Sequence, residues 1–148
     1  MIRRARIEDA KSLAALAIQM LAHHDLEDLT KEFRQLVAND EAACFITYVD
    51  DKPIAFSQCQ LRHDYVEGTD SSPVGYLEGV FASEGYRRQG HAAELLSECE
   101  RWARDQGCTE FASDCELNNA DGFRSLIDDV GSRFVPDGEL MKLYTTHL

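Results

Sequence analysis

The sequence lacks the features that mark membrane, disulfide-stapled and metal-stapled proteins. No apolar run approaches the ~20 residues that a membrane-spanning helix needs. The five cysteines include no CxxC pair, which argues against a structural zinc knuckle or a redox motif, so mostly buried, reduced thiols are expected. The basic N-terminus is not followed by an apolar segment, so no signal peptide is predicted. These absences favour a soluble, cytoplasmic domain with no membrane partner.

Positive charge is also scarce. The chain has 15 lysines and arginines against 27 aspartates and glutamates, a formal net charge of −12. Such a surface repels nucleic acid, which we therefore discount as a partner, and it attracts cationic small molecules. An acidic surface also promotes solubility without any binding role, so composition alone leaves both interpretations open.

The order of the predicted elements indicates a mixed fold. Residues 1–148 contain no internal repeat, low-complexity tract or linker, and are expected to form a single domain. Apolar spacing predicts the order β α α β β β α β α β β, which is typical of a mixed α/β (α+β) fold. The longest helix then joins two parallel strands as a crossover.

Two helices are predicted near the N-terminus. Asp9 is placed to cap a helix that runs to about Leu21, with apolar residues at helical spacing. Thr30 is the candidate cap of a second helix, which ends near Asn39.

The middle of the chain reads as strands followed by the long helix. Residues 43–62 predict a β-hairpin, 74–82 a strand, and 89–106 a helix that Gly107 ends. The remaining predicted elements are a strand at 110–114, a helix at 119–129 and a hairpin at 134–144.

The segment between strand 74–82 and the long helix can hold an anion. Residues 87–92 read RRQGHA, whereas the dinucleotide pattern GxGxxG and the Walker pattern GxxxxGK[ST] are absent. Backbone N–H groups at a helix start carry partial positive charge, and Gly90 and Ala92 leave space for a diphosphate to approach them. An ordinary basic turn before a helix remains the alternative.

Three motifs resemble those of a known family. The pattern R-x-x-G-x-A at 87–92, after a strand and before a long helix, is similar to the acetyl-CoA pyrophosphate loop of the GNAT superfamily of N-acetyltransferases. Residues 61–81 and the C-x-E-x-A-S-D stretch at 108–114 resemble aminoglycoside 6′-N-acetyltransferases. The resemblance extends over nearly the whole chain. It implies a central, mostly antiparallel sheet with a parallel β4-α3-β5 crossover and about four helices.

The same resemblance implies positions that bind acetyl-CoA and no metal. The residues implied for the pantetheine arm are Val80, Phe81 and Ala82. Those implied for the pyrophosphate are Arg87, Arg88, Gln89, Gly90, His91 and Ala92, and Asn119 is implied as a further cofactor contact.

It also implies positions that contact an aminoglycoside. The matching residues are Tyr65, Glu78, Asp114 and Glu139, and His63 lies in the same predicted substrate loop. Leu21 stands where several relatives have a tryptophan that contacts the drug, so one wall of the sugar site differs here.

Glu78 is unusual on physical grounds alone. A carboxylate inside an otherwise apolar strand is costly without a partner or water. Regular alternation would put Tyr76, Glu78 and Val80 on one face, and Gly79 permits a bulge beside them. Glu78 therefore either faces a substrate cleft or is a structural acid paired with a buried arginine.

The implied reaction needs a proton acceptor, because an ammonium group has no free lone pair. Glu78 is the candidate, with Asp114 holding substrate ammonium groups and a backbone N–H near 80–81 stabilising the oxyanion. The family's usual general-acid position is occupied by Ile127. Tyr144 is the substitute candidate, but an aromatic role in a strand, or no acid at all, remains open.

The resemblance implies transfer of an acetyl group from acetyl-CoA to the 6′-amine of an aminoglycoside antibiotic, which gives resistance. Relatives are often dimers, with Trp102 or the final strands as candidate interfaces here. Two alternatives stay open: acetylation of another amine (a polyamine, amino sugar or peptide), and a non-catalytic module that binds acyl-CoA.

Overall fold

Residues 1–116 and 124–148 are described by a computed structural model. The strands are β1 (Ile2–Arg4), β2 (Ala42–Val49), β3 (Lys52–Arg62), β4 (Val74–Ala82), β5 (Phe111–Glu116), β6 (Val135–Asp137) and β7 (Leu140–Thr145). The α-helices of these residues are α1 (Ala10–Ala17), α2 (Leu26–Ala38), α3 (His91–Asp105) and α4 (Arg124–Val130). The same residues include 3-10 turns at Ile7–Asp9 and Gly131–Arg133. The strands form one sheet in the order β1-β2-β3-β4-β5-β7-β6.

The hairpin predicted at 43–62 is confirmed as β2 and β3. The two strands pair antiparallel over most of their length. Asp50 and Asp51 connect them with φ values of 51° and 63°. Two successive residues with positive φ are typical of the tight turns whose twist matches that of paired strands.

The predicted parallel crossover is also confirmed. Strands β4 and β5 pair in parallel at Gly75↔Phe111 and Tyr76↔Ala112, and α3 connects them. Gly90 precedes α3 with a φ of +86°, and Gly107 follows it with a φ of +94°, so both ends need glycine. The predicted bounds of this helix differ from the observed ones by two residues or fewer.

The first two helices differ from prediction. Helix α1 ends at Ala17 instead of near Leu21. Helix α2 begins at Leu26, where the Asp25 side chain accepts a hydrogen bond from the Glu27 N–H, so Thr30 does not cap it. The Thr30 hydroxyl instead donates to the Leu26 carbonyl one turn earlier. No helix in the described part of the chain is both long and apolar enough to cross a membrane.

A β-bulge shifts the face on which the side chains of β4 lie. Gly79 pairs with Gln58 and Leu77 pairs with Cys59, so Glu78 is an extra residue on β4. The predicted bulge beside Gly79 is therefore confirmed. The prediction that Val80 shares a face with Tyr76 is wrong, because a bulge resets the alternation of side chains.

Hydrophobic core residues cover both faces of the sheet. Leu77 and Val80 pack beneath α3, while Phe81 packs beneath α1 and α2. Trp102 on α3 packs in the same core as Leu77 and Val80 and is only 5% exposed. The expectation that Trp102 forms a dimer interface is therefore wrong, because its side chain is buried in the core.

Buried, free thiols are observed, as predicted, at Cys44, Cys59, Cys99 and Cys108. Burial raises the pKa of the Cys44 thiol, so it stays protonated and unreactive at neutral pH. Within residues 1–116 and 124–148, no group of three or more His, Cys, Asp or Glu side chains is arranged to hold a metal.

Asp9 occupies the predicted N-cap position of α1, but its side chain makes no capping hydrogen bond to that helix and instead anchors the N-terminal strand to the sheet. Its carboxylate accepts hydrogen bonds from the Arg3 guanidinium at 2.6 and 2.7 Å, from the Arg6 N–H at 2.8 Å and from the Tyr48 hydroxyl at 2.9 Å. Burial by itself raises the pKa of Asp9, but these hydrogen bonds outweigh burial and hold its pKa below the ordinary value.

We expect Asp9→Asn to lower the free energy of unfolding by about 3 kcal/mol at pH 7, because Arg3 loses its charged partner. Because the pKa of Asp9 is lower in the folded state, its carboxylate stabilises the fold when the pH is above its unfolded-state pKa of about 3.9. This stabilisation is lost as the pH falls through its folded-state pKa. Urea unfolding from pH 7 down to pH ~3 should therefore show the two proteins converging. A difference that stays constant with pH would contradict this role.

Candidate active site

Strands β4 and β5 part beyond Tyr76 and Ala112, and a gap opens between them. The Ser113 hydroxyl donates to the Leu77 carbonyl at 3.2 Å near the start of the gap. Further along, the Ala82 N–H donates to the Ser125 hydroxyl of α4 at 3.0 Å. Backbone groups two residues apart on a strand point the same way, so the Val80 N–H also points into the gap.

The three residues predicted for the pantetheine arm therefore differ in what their backbones can offer to a ligand. Val80 presents its backbone to the gap. Phe81 pairs with Phe56 on the opposite side, and its side chain lies in the core beneath α1 and α2. The Ala82 N–H is engaged by Ser125. The Val80 backbone is thus the group of this set that is oriented toward a ligand in the gap.

The turn before α3 has the curled backbone of an anion-binding turn. Positive φ occurs at Gly85, Arg88 and Gly90, with values of 94°, 61° and 86°. A Cβ atom on Gly90 would meet no atom within 4 Å, so glycine is required there by backbone conformation and not by space. The turn and the first amides of a 15-residue helix fit a diphosphate.

The side chains of this turn are engaged elsewhere. Arg87 Nε donates to the Ala82 carbonyl at 3.2 Å, and Gln89 Nε2 donates to the Gly85 carbonyl at 2.9 Å. Arg88 is 80% exposed, and its Nε lies 3.8 Å from Asp128. Ala92 is 1% exposed and packs in the core beneath α3. His91 begins α3 and is partly buried.

Helix α4 approaches the same turn with acidic side chains. Asp129 Oδ2 accepts a hydrogen bond from the Ala93 N–H at 3.2 Å. The amides before Ala93 are therefore the ones that a diphosphate would use. Asn119, predicted as a cofactor contact, lies outside the described residues.

Glu78 lies on the face of the sheet opposite α3 and is accessible. Its Oε1 accepts hydrogen bonds from Gln60 Nε2 at 2.7 Å and from Arg62 Nη2 at 2.9 Å. The Glu78 side chain is 24% exposed and that of Arg62 is 39% exposed. The carboxylate is paired with an arginine, as the structural interpretation required, but neither partner is sealed in the core.

Arg62 connects Glu78 to a second acid. Its guanidinium lies 3.6 Å from the centroid of the Tyr76 ring, and the Tyr76 hydroxyl donates to Asp114 Oδ1. Burial, and then the hydrogen bond to Asp114, raises the pKa of Tyr76, so it remains a donor at neutral pH. Glu78, Arg62, Tyr76 and Asp114 thus form a continuous polar array across β3, β4 and β5.

A cavity of about 120 Å³ opens beside this array. The polar and aromatic side chains that line it include Arg62, Tyr65, Glu67, Asp114, Lys142 and Tyr144. The structure therefore brings together three predicted site residues (Tyr65, Asp114 and Tyr144), and Arg62 joins them to Glu78. Tyr65 is 80% exposed at the rim.

Three predicted substrate residues lie elsewhere. His63 is exposed, with Nε2 2.8 Å from Glu41 Oε1. Leu21 lines a separate cavity of about 240 Å³ beneath α2. Glu139 is exposed in the turn between β6 and β7.

The loop between β3 and β4 is tied to the sheet at two points. Glu110 accepts hydrogen bonds from the Asp70 N–H at 2.9 Å and from the Ser71 hydroxyl, and these, chiefly the one from Ser71, lower the pKa of Glu110. The Tyr144 hydroxyl donates to the Glu67 carbonyl at 3.2 Å. Tyr144 lies opposite Ala112, on the row before the gap opens.

Sequence reasoning missed two cations of this site. Arg62 ends the alternating stretch 54–62, which predicts only the returning strand of the hairpin. Lys142 lies alone in the apolar run Leu140–Leu143. The reasoning that singled out Glu78, a charge inside an apolar strand, applies equally to Lys142 and would have found it.

Residues 10–123 match the acetyltransferase (GNAT) family. The chain is 42% identical to an aminoglycoside N(6′)-acetyltransferase type 1 from Serratia marcescens over 99 residues, 66% of this chain and 68% of that protein. It is 38% identical over 119 residues to the enzyme of the same name from Stenotrophomonas maltophilia, covering 80% and 76% of the two chains.

Solved structures of aminoglycoside acetyltransferases have a similar fold. AAC(6′)-Iy in complex with the bisubstrate analogue CoA-S-monomethyl-acetylneamine superposes with a TM-score of 0.77 at 32% identity, covering 84% of each chain. AAC(6′)-Ih from Acinetobacter baumannii gives a TM-score of 0.78 at 33% identity over 88% of each chain. A ribosomal-protein-alanine N-acetyltransferase from Brucella melitensis, at 18% identity and a TM-score of 0.66, shares the fold.

Proposed function

Because the chain belongs to the acetyltransferase (GNAT) family, we propose that it transfers the acetyl group of acetyl-CoA to the 6′-amine of aminoglycoside antibiotics and so confers resistance. One observation carries this proposal. The array of Glu78, Arg62, Tyr76 and Asp114 borders both the gap between β4 and β5 and a cavity with acidic groups. The identity to aminoglycoside N(6′)-acetyltransferases supports the choice of substrate.

The gap and the turn before α3 would hold the donor. Acetyl-CoA supplies an acetyl thioester, whose carbonyl carbon accepts the amine lone pair as the carbon–sulfur bond breaks. The turn at 87–92 offers backbone N–H groups to the diphosphate. The Val80 N–H, which points into the gap, is oriented to stabilise the negative charge that develops on the carbonyl oxygen.

Glu78 would accept the proton that the amine must lose, directly or through one water. Both of its hydrogen bonds end on Oε1, so we assign Oε2 to the substrate nitrogen. Gln60 and Arg62 hold the carboxylate in place. We assign no proton to Tyr144, whose hydroxyl donates to Glu67, because a thiolate is a tolerable leaving group at neutral pH.

Asp114 and Tyr65 would bind the rest of the substrate. Asp114 is only partly buried and lines the cavity, so its carboxylate can pair with a substrate ammonium group. The exposed ring of Tyr65 at the rim offers a flat apolar surface to a sugar ring.

Release of free thiol from acetyl-CoA tests the proposal. We expect turnover with kanamycin or tobramycin, and none with an analogue that has a 6′-hydroxyl in place of the amine. Turnover with spermidine or a peptide, but not with aminoglycosides, would indicate a different amine substrate. Tight binding of acetyl-CoA without turnover on any amine would indicate a non-catalytic binding module.

We further propose that the enzyme works in the cytoplasm as a homodimer. The free, buried thiols of the described cysteines support a reducing compartment. Strand β6 lies at an edge of the sheet, and its Val135 is 56% exposed, which supports an interface there. Size-exclusion chromatography coupled to light scattering measures the oligomeric state directly.

A further inference from the structure

Lys142 on β7 is a buried cation that the reaction described above does not use. Its side chain is only 6% exposed. Its Nζ lies 3.1 Å from Glu67 Oε2 and 3.1 Å from Asp137 Oδ2. These two carboxylates raise the pKa of Lys142, so it carries its charge at neutral pH. The partners are far more accessible, with side chains that are 73% and 57% exposed.

The position of Lys142 brings it into the proposed substrate site. Lys142 lies directly opposite Asp114 in the pairing of β5 with β7. Side chains directly opposite one another on antiparallel strands lie on one face, with Cβ atoms about 5 Å apart. Lys142 and Asp114 also line the same cavity. A fixed ammonium group therefore borders a cavity that, on the proposed function, receives a polycation.

The loop between β3 and β4 is held to the sheet without the charge of Lys142. Tyr144 donates to the Glu67 carbonyl at 3.2 Å. Gly68 packs so closely on Tyr144 that a Cβ atom on Gly68 would lie 2.5 Å from the hydroxyl oxygen. These contacts tie the loop to β7 through its backbone. Burial of an ammonium group costs free energy, which its two carboxylate partners must offset.

The cation changes the charge that the cavity presents. Glu67 and Asp114 are the acidic side chains of the lining, and Arg62 and Lys142 balance them in formal charge. Glu67 is paired with Lys142, and Asp137 is paired with the same ammonium group.

We propose that Lys142 determines acceptor specificity: its ammonium group takes the place between Glu67 and Asp137 that a substrate ammonium group would otherwise occupy. This inference rests on the proposed function. It implies that the cavity disfavours acceptors with an additional amine on the part of the molecule that reaches β7. Removal of the Lys142 charge frees two carboxylates and opens a subsite for that amine.

Steady-state kinetics of Lys142→Met tests the proposal with two aminoglycosides that differ by one amino group remote from the 6′ position. Methionine retains the apolar stem of the side chain without its charge. We expect KM to fall about tenfold for the acceptor with the extra amine and much less for the other, with kcat changed by less than about twofold. Added salt should reduce the difference, because ion pairs at an accessible site are screened.

Matched variants separate charge from structure. Lys142→Arg keeps the charge and should retain the wild-type KM values. Lys142→Met combined with Glu67→Gln removes one freed carboxylate and should return KM toward wild type. If Lys142→Met does not fold, Lys142→Gln provides the same test with a polar side chain. Equal increases in KM for both acceptors, together with faster proteolysis of the loop, would show a purely structural latch and overturn the proposal.

The inference and the proposed function can fail separately. If the wild-type enzyme acetylates no aminoglycoside, the proposed function fails. Calorimetric titration with spermidine then tests Lys142 alone, since tighter binding to Lys142→Met than to the wild type is expected for a freed anionic subsite. Equal affinities in that titration would refute the role of Lys142.

Discussion

Glu78→Gln is expected to lower kcat about a hundredfold while leaving the affinity for acetyl-CoA nearly unchanged. Glutamine keeps the shape of the side chain and can still accept hydrogen bonds from Gln60 and Arg62. It cannot take a proton from the substrate ammonium group. Stopped-time assays of thiol release give kcat, and calorimetry with acetyl-CoA gives the affinity.

The pH profile distinguishes proton transfer from simple binding by Glu78. If Glu78 accepts the proton, the loss of kcat in Glu78→Gln should shrink as pH rises, because the amine group of the unbound aminoglycoside then loses its proton to solvent. If Glu78 only binds the ammonium group, the deficit should persist at high pH and appear mainly in KM. Glu8→Gln is the matched control: the Glu8 side chain is 69% exposed, beside Arg6, and its change should leave kcat unaltered. Full activity of Glu78→Gln would remove Glu78 from the mechanism.

Gly75→Ala is expected to lower the free energy of unfolding by about 3 kcal/mol, a large effect for a single methyl group. A Cβ atom on Gly75 would lie 2.5 Å from the Ala103 Cβ of α3 and 2.7 Å from the Phe111 ring of β5. Both neighbours are fully buried, so the backbone must shift. Gly75 also forms one of the two paired rows of β4 and β5, so the same shift should disturb the mouth of the gap.

Thermal unfolding provides the measurement, with an expected decrease in Tm of roughly 6 to 12 °C. Gly79→Ala on the same strand is the control, because a Cβ atom there would meet no atom within 4 Å. Its Tm should stay within about 3 °C of wild type. Similar decreases in Tm for Gly75→Ala and Gly79→Ala would mean that strand propensity, and not the contact with α3 and β5, explains the effect.

Much of the fold could be predicted because local patterns and tertiary packing agree. Strand β4 has the predicted bounds. The observed ends of α3 lie within two residues of the predicted ends, since a glycine with positive φ flanks each end of this helix. The early helices were less predictable. Thr30 has a residue type typical of caps, but Asp25 caps α2 one turn earlier, and Leu29 and Phe33 then pack in the core.

The family, the crossover that creates the gap and the acid at Glu78 could all be predicted, because each depends on residue type and spacing along one segment. The contacts of that acid depend on the folded sheet. Arg62 of β3 contacts it through strand register and a bulge, and Asp114 of β5 joins the same array through Tyr76. Lys142 enters from β7, 64 residues after Glu78. Register and packing are set by the whole sheet, so no local pattern contains them.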